Sequence, residues 1–240
     1  MRSLPFIIMR AYATVWTRKH ARVVVKGLDE IALRRKGERR VYLLLDRSTT
    51  FDIMALLHVS EEPFAIMMER TSFGVPGLRR LQRAAGLIPL DAADPRPALE
   101  AGAAALDRGR PLLASLRAAD GSSARTDGIR LARERGAALY PIFLKAEDDR
   151  VRTKTFRGRD GIERPYTTFK DSFYFIEFLR PFDLSGLSAA PSEAELAATA
   201  AELDARASQV DSRYETFLAD NRERFADLKR RGGTRYRVAW

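Results

Sequence analysis

Two residues of opposite charge, Arg47 and Asp52, follow the apolar run 41–45 and have four residues between them. A guanidinium has no lone pair and stays protonated at neutral pH, so Arg47 cannot act as a general base. It can form an ion-pair clasp with Asp52. It can also grip a phosphate or carboxylate together with Arg117, through paired hydrogen bonds. Two solvated loop arginines are the third alternative, and the sequence leaves the three open.

Other side chains suited to catalysis are scarce. The chain has no cysteine, which excludes disulfides, thiolate catalysis and cysteine-based metal sites. His20 and His58 are the two histidines, too few for an imidazole-rich metal site. His58 lies six residues after Asp52, about 240° further round a helix, so the two would face different ways. We therefore predict structural or surface histidines, no metal and no bound cofactor.

Positive charge is concentrated near the N-terminus. The 240 residues carry a net charge of +10, and residues 1–40, with eleven Lys or Arg and three Asp or Glu, account for +8 of it. A basic segment of this kind suits an anionic partner, either a phospholipid surface or nucleic acid. A solvated segment that keeps the protein soluble is the simpler alternative.

Residues 1–22 predict a basic amphipathic helix. Apolar residues recur at helical spacing at Leu4, Ile8, Tyr12, Val15 and Trp16. An apolar face with aromatic residues and flanking cations is typical of a helix lying in a membrane interface. The residues predicted to contact the membrane are Arg10, Tyr12, Trp16, Arg18, Lys19 and Arg22.

Several features narrow the interpretation of this helix. The apolar stretch is shorter than the ~20 residues needed to span a bilayer, and Arg10 interrupts it. No small-residue cleavage site follows, as it would in a signal peptide. The aromatic residues form one face instead of alternating with cations, which disfavours a nucleic-acid partner. We expect a cytoplasmic protein, peripheral on the inner face of the membrane, although packing of the helix on its own domain is equally compatible.

The segment 23–184 predicts one α/β domain. Apolar runs typical of strands occur at 23–28, 41–45, 64–68, 87–90, 111–115, 139–144 and 172–179, and helical patterns occur at 53–59, 76–85, 97–107 and 126–135. Strands that alternate with helices indicate a central, mostly parallel sheet flanked by helices. The charged, Gly-containing segment 148–168 predicts a long loop or a hairpin.

The C-terminal part predicts one long amphipathic helix over 192–230. A linker at 185–191 precedes it, and Ser192 with Glu195 forms a capping-box pattern. Apolar residues continue at helical steps to about Lys229, over roughly 50 Å. Such a helix packs on its own domain or offers a surface for a partner or for self-association.

The order of elements over residues 23–145 resembles the glycerophospholipid (PlsC-type) lysophospholipid acyltransferase family. The segments that carry the resemblance are 23–28, the first-motif segment Leu43–Ile53, Phe73-Gly74 with 86–91, 111–115, 126–129 and 140–142. In the first motif, Arg47 occupies the family's His position, Thr49 its Ser and Asp52 its Asp. The resemblance implies an acyltransferase-like α/β fold. It also implies acyl transfer from acyl-CoA or an acyl carrier protein, with His as general base and Asp orienting it.

The sequence departs from the family at most of these positions. Besides Arg47, no arginine occupies the second-motif position near Asp91. Leu116-Arg117-Ala118 stands where Pro-Glu-Gly is expected, and Asp120-Gly121 could replace the Glu-Gly only in a longer loop. The resemblance therefore implies a degenerate substrate site made of Arg47, Thr49, Arg117, Asp120 and Gly121.

We expect a membrane-peripheral, lysophospholipid-acyltransferase-like protein that is catalytically inactive. It would bind lipid or acyl chains, or serve as a partner subunit of an active enzyme. The alternative is an active, divergent acyltransferase that moves an acyl group to a lysophospholipid or an amine, for which proximity could replace base catalysis.

Overall fold

The structure, a computed structural model, describes residues 4–27, 38–46, 50–60, 62–69, 83–91, 93–118, 124–147, 152–157, 163–168 and 172–230. The strands are β1 (Ala21–Lys26), β2 (Arg40–Leu44), β3 (Ala65–Glu69), β4 (Leu87–Leu90), β5 (Leu112–Ser115), β6 (Ala138–Ala146), β7 (Arg152–Arg157), β8 (Glu163–Thr168) and β9 (Ser172–Phe178). The helices are α1 (Leu4–His20), α2 (Thr50–Val59), α3 (Arg96–Asp107), α4 (Asp127–Glu134), α5 (Glu193–Asp220) and α6 (Arg222–Arg230).

Seven strands form one sheet in the order β1-β9-β6-β2-β5-β3-β4. The strands β6, β2, β5, β3 and β4 run parallel, whereas β9 pairs antiparallel with β6, and β1 runs parallel to β9. All seven predicted apolar runs are strands of this sheet. The predicted α/β class, with a mostly parallel sheet flanked by helices, is confirmed.

A separate hairpin follows β6. The strands β7 and β8 pair antiparallel with each other as a two-stranded sheet. The segment 148–168, predicted as a loop or hairpin, therefore contains a hairpin. The predicted helix at 76–85 lies largely outside the described residues.

Helices cover both faces of the sheet, because successive side chains of a buried strand point to opposite faces. Tyr42 and Leu44 of β2 pack in the cluster that also holds the buried residues of α1 and α2. Val41 and Leu43 pack in the other cluster, with the buried residues of α3, α4, α5 and α6. We name these two sides the α2 face and the α4 face.

One glycine determines how closely α4 approaches the sheet. A Cβ placed on Gly128 would lie 2.9 Å from the Ala114 Cβ and 3.0 Å from the Leu43 Cδ1. Any larger residue would push the start of α4 away from β2 and β5. Gly128 therefore allows the first turn of α4 to sit directly on the two central strands.

The long C-terminal helix predicted over 192–230 is divided into α5 and α6 at Asn221. The Asn221 side chain donates to the Phe217 carbonyl oxygen at 2.9 Å, and its backbone N–H also bonds that carbonyl. The break turns Phe225 into the domain, with its ring centroid 4.7 Å from that of Phe173. The predicted capping box is present at the start of α5, where Ser192 and Glu195 bond each other's backbone N–H groups.

Candidate functional site

The carboxyl ends of the parallel strands meet at one edge of the sheet, which we name the carboxyl edge. After β2, the chain continues into α2 on the α2 face of the sheet. After the adjacent strand β5, it continues into α4 on the opposite, α4 face. In open α/β sheets, the crevice between two such strands is the usual ligand position. Asp46 and Asp52 follow β2 at this point, and Arg117 follows β5.

Asp52, in the first turn of α2, is buried with 7% exposure. Its Oδ1 accepts a hydrogen bond from the hydroxyl of Tyr174 in β9. Burial raises the pKa of Tyr174 well above its ordinary value, and the nearby Asp52 carboxylate adds to the rise. Tyr174 therefore stays protonated and serves as a donor. This arrangement holds the Asp52 carboxylate in place.

Tyr174 was not predicted from the sequence, because it lies beyond the segment that carries the family resemblance. One signal was available, because a tyrosine within a mostly apolar strand such as 172–178 needs a partner for its buried hydroxyl. The ring of Phe51 packs against Tyr174 with centroids 4.9 Å apart. Two consecutive residues of α2 thus contact the same tyrosine.

Four of the predicted site residues, Arg47, Thr49, Asp120 and Gly121, lie outside the described residues. The clasp between Arg47 and Asp52, and the alternative anion site, therefore stay predictions.

Arg117 forms an ion pair with Asp204 of α5, and both side chains are partly exposed. Arg125 pairs with Asp127 at 2.8 Å and with Glu69 at 3.4 Å. Both arginines thus already have carboxylate partners. A ligand anion at this position would have to compete with those carboxylates for the guanidinium groups.

A small surface pocket lies beside these arginines. Its lining consists of Met67, Met68, Glu69, Leu90, Ala114, Ser115, Arg117, Arg125 and Asp127. Asp52 is not part of this lining, so Arg117 and Asp52 do not share the pocket. Arg117 was predicted from the sequence, whereas Arg125 and Glu69 were not, because their proximity depends on β3 lying beside β5.

One side of α1 packs on the domain through the buried residues Phe6, Met9, Ala13 and Thr17. The opposite side carries five large apolar residues that are 46–71% exposed: Leu4, Ile7, Ile8, Tyr12 and Val15. At 100° per residue these five lie within an arc of about 140°. We name this set the apolar face of α1. Packing on the domain and presentation of an apolar surface therefore coexist in the same helix.

The six predicted membrane-contact residues divide into two groups. Tyr12, Arg18 and Lys19 are exposed. Trp16 is instead partly buried, with its ring centroid 5.3 Å from that of Phe51. Arg22 donates to the Leu228 carbonyl oxygen at 2.7 Å, and Arg10 is partly buried. Trp16 and Arg22 therefore also make contacts within the domain, and membrane contact by these six residues stays a prediction.

His58 Nδ1 lies 3.1 Å from Thr14 Oγ1, joining α2 to α1. The His20 ring packs against Trp16 in a tilted arrangement, with centroids 4.9 Å apart. These two contacts lie in the packing of α1.

Comparison with known proteins gives a similarity of fold. No family model matches the chain, and no curated protein matches it. Among solved structures, the fold is similar to that of the 1-acyl-sn-glycerophosphate (LPA) acyltransferase PlsC from Thermotoga maritima. The TM-score is 0.58 at 17% sequence identity, and the match covers 86% of this chain and 79% of that one. The chain has an acyltransferase-like fold. At this identity the likeness concerns the fold alone.

Two further observations concern membranes and metals. Within the described ranges, no helix is both long enough and apolar enough to cross a bilayer. In the same residues, no three or more acidic, histidine or cysteine side chains are grouped so that they could hold a metal ion.

Proposed function

We propose that this chain is a membrane-peripheral protein of acyltransferase-like fold that does not catalyse acyl transfer. It would bind lipid or acyl chains at the membrane surface, or act as a partner subunit of an active enzyme. The observation that carries this proposal is the apolar face of α1, five exposed apolar residues on a helix held firmly to the domain.

The chemistry of α1 matches a phospholipid interface. Moving exposed apolar side chains into the acyl region is favourable, by about 25 cal/mol for each Å² of apolar surface removed from water. Arg18 and Lys19, exposed at the C-terminal end of the same helix, are suited to anionic headgroups. An apolar face followed directly by cations favours a bilayer over an apolar protein partner.

The absence of catalysis is inferred from residue types. Arg47 stands where the resemblance places the general base, and general-base catalysis is typically worth about 10²–10⁴-fold in rate. Asp52, which would orient that base, instead accepts a hydrogen bond from Tyr174. These two features support a scaffold that has kept its fold and lost its proton-transfer residue.

Vesicle flotation tests the membrane part. We expect wild-type protein to float with phosphatidylglycerol-containing vesicles, and the Ile8→Gln/Val15→Gln variant to lose most of this binding without unfolding. The matched control is Ala197→Gln/Ala198→Gln, two exposed positions of α5. Equal binding of both variants would contradict a role for the apolar face.

An acyl-transfer assay tests the catalytic part. With acyl-CoA or acyl-carrier-protein donors and lysophosphatidic acid or an amine as acceptor, we expect no turnover above background. Robust turnover that is lost in the Asp52→Ala variant or in the Arg47→Ala variant would instead show that the protein is an active, divergent acyltransferase.

A further inference from the structure

The hairpin formed by β7 and β8 has two faces of different composition. Residues alternate between the faces along each strand, and residues directly opposite each other in an antiparallel pair share a face. Lys154 lies opposite Tyr166, which fixes the alignment of the other pairs. One face therefore carries three cations, two aromatic residues and a threonine. We name it the basic face of the hairpin, and its members are Arg152, Lys154, Phe156, Arg164, Tyr166 and Thr168.

The other face of the hairpin has no net charge. Its members are Thr153, Thr155, Arg157, Glu163, Pro165 and Thr167. Its one cation, Arg157, is aligned with its one acidic residue, Glu163. A shift of the pairing by one residue would move the residues of one strand to the opposite face. The concentration of positive charge on one face thus depends on the observed register.

The hairpin extends from the carboxyl edge of the sheet, next to the end of α1. The two strands that flank it, β6 and β9, pair antiparallel, with Ala146 aligned with Tyr174. Ser172, the first residue of β9, is aligned with Ala21, which directly follows the last residue of α1. Thr168 precedes Ser172 by four residues, a span of at most ~14 Å. No more than about 20 Å therefore separates the end of β8 from the start of β1.

Contacts between elements place the hairpin on the α2 face, beside α1. The strand β8 contacts α2, and α2 packs against α1. In that packing, the ring centroids of Trp16 and Phe51 are 5.3 Å apart. Arg18 and Lys19, at the C-terminal end of α1, are exposed. The hairpin and these two cations therefore belong to one region of the molecule.

We propose that the basic face of the hairpin docks on the same anionic phospholipid surface as the apolar face of α1. This inference rests on the proposed membrane function and names the lipid class, because cations select anionic headgroups. Each cation close to such a surface raises the affinity by about 5-fold. Tyr166 and Phe156 are residue types that favour the membrane interface. Two elements of one molecule bind at a high effective concentration, so modest contacts from each give strong overall binding.

A nucleic acid is the other polyanion that such a face suits, because a two-stranded ribbon can lie in a groove with its cations on phosphates. The neighbouring α1 favours the lipid. Its five exposed apolar residues are stabilised by entering an acyl region, and the phosphates of a nucleic acid offer them no such environment. Of the two partners, the lipid surface is the one that uses both elements.

Co-sedimentation with vesicles of phosphatidylcholine, with and without phosphatidylglycerol, tests the proposal. We expect Arg152→Gln/Lys154→Gln to weaken binding to the anionic vesicles at least ~10-fold, because two cations are removed from the contact. The control Arg83→Gln/Arg108→Gln removes two exposed cations before β4 and β5, at the opposite edge of the sheet. It should change the affinity less than ~2-fold, since it lies far from the hairpin. Urea midpoints check that both variants are as stable as the wild type.

Three outcomes would overturn the docking of the hairpin. The first is equal binding by the two variants. The second is a loss in Arg152→Gln/Lys154→Gln that is just as large on vesicles without phosphatidylglycerol. The third is unchanged vesicle binding with a loss of affinity for duplex DNA in a mobility shift, which would assign the basic face to nucleic acid. In each case, loss of vesicle binding in Ile8→Gln/Val15→Gln would leave the α1 proposal standing, whereas failure of wild-type protein to bind would overturn both.

A fluorescent label reports which face of the hairpin meets the vesicle. The chain has no cysteine, so Thr168→Cys and Thr167→Cys each introduce a unique labelling site, one on the basic face and one on the other face. With an environment-sensitive dye, we expect anionic vesicles to shift the emission to shorter wavelength at position 168 and to shift it less at position 167. A shift at position 167 that equals or exceeds the one at position 168 would overturn the proposal.

Discussion

At the scale of single residues, the side chain that most changes the interpretation of the site is Tyr174. An ion pair with Arg47 was one of the alternatives left open for Asp52, and the structure places a tyrosine hydroxyl on its Oδ1. The carboxylate thus has a donor from a strand more than a hundred residues away. This contact holds the start of α2 against β9. It therefore contributes to the stability of the fold, independently of what Arg47 binds.

We expect Tyr174→Phe to destabilise the fold by about 1–3 kcal/mol, because removing one donor leaves a buried acceptor less well satisfied. Urea unfolding monitored by circular dichroism measures the change. Tyr12→Phe is the matched control, since that hydroxyl belongs to a side chain that is 51% exposed, and its effect should stay within ~0.5 kcal/mol. Equal effects of the two substitutions would argue against a structural role for the Tyr174 hydroxyl.

At the scale of elements, α1 has one side that is buried on the domain and one side that is exposed. Phe6 is 1% exposed in the cluster shared with α2, whereas Leu4, two residues earlier, is 69% exposed. The helix is thus anchored by one side and leaves the other for a partner. A helix that merely covered its own core would not present five exposed apolar residues in one arc.

Alanine substitutions separate the two sides of α1. Phe6→Ala should cost about 3 kcal/mol of unfolding free energy, the usual size for a buried phenylalanine. Leu4→Ala should change stability by less than ~0.5 kcal/mol, since little surface is buried there. Thermal or urea unfolding measures both, and similar losses in the two variants would mean that α1 is packed differently.

The first turn of α5 makes a pH-dependent contribution to the stability of the folded protein. Hydrogen bonds from the backbone N–H groups of Ser192 and Ser188, together with the Ser192 hydroxyl, lower the pKa of Glu195 from 4.5 to about 2. The ionised form is therefore favoured in the folded state, so this stability is present above about pH 4.5 and is lost as the pH falls toward 2.

We therefore expect wild-type protein to be more stable than Glu195→Gln at pH 6. The difference should shrink steadily between pH 4.5 and 2, when Glu195 becomes protonated. Urea midpoints for the two proteins across that range give the measurement. A difference that does not vary with pH would contradict a role for the Glu195 charge.

At the scale of the whole molecule, the described cations of the basic N-terminal segment do not form one patch. Across the sheet, Arg22 is aligned with Glu147, just after β6, and Arg40 is aligned with Ala138, at the start of β6. These two positions are nine residues apart along β6, or about 30 Å. Arg40 pairs with Glu62 at 3.2 Å, and Arg39 pairs with Asp107 at 3.5 Å. Part of the N-terminal charge is therefore neutralised within the fold, whereas Arg18 and Lys19 of α1 are exposed to solvent.

Membrane binding should consequently depend on salt only in part. Raising the ionic strength from about 0.05 to 0.5 M should weaken binding to anionic vesicles, because exposed charges are screened over a few ångströms at high salt. A residual, salt-resistant fraction should remain from the apolar face of α1 and should disappear in Ile8→Gln/Val15→Gln. Complete loss of wild-type binding at high salt would assign the interaction to charge alone.

The sequence by itself determined the elements and the fold class of this protein. The seven apolar runs and the helices between them follow from local periodicity, and alternation of the two types leads to a mostly parallel sheet. It also determined that Arg47 cannot take a proton and that residues 4–15 have an apolar side, because both are properties of residue type and spacing.

Tertiary structure alone decided which residues meet. Tyr174 reaches Asp52, Arg117 turns to Asp204, and Arg22 caps α6 because β9, α5 and β1 are brought together by the order of strands, which no local pattern encodes. The same packing decided that Trp16 faces the domain while Val15 faces outward. Helix periodicity gives the two sides, and only the position of α2 determines which side is buried.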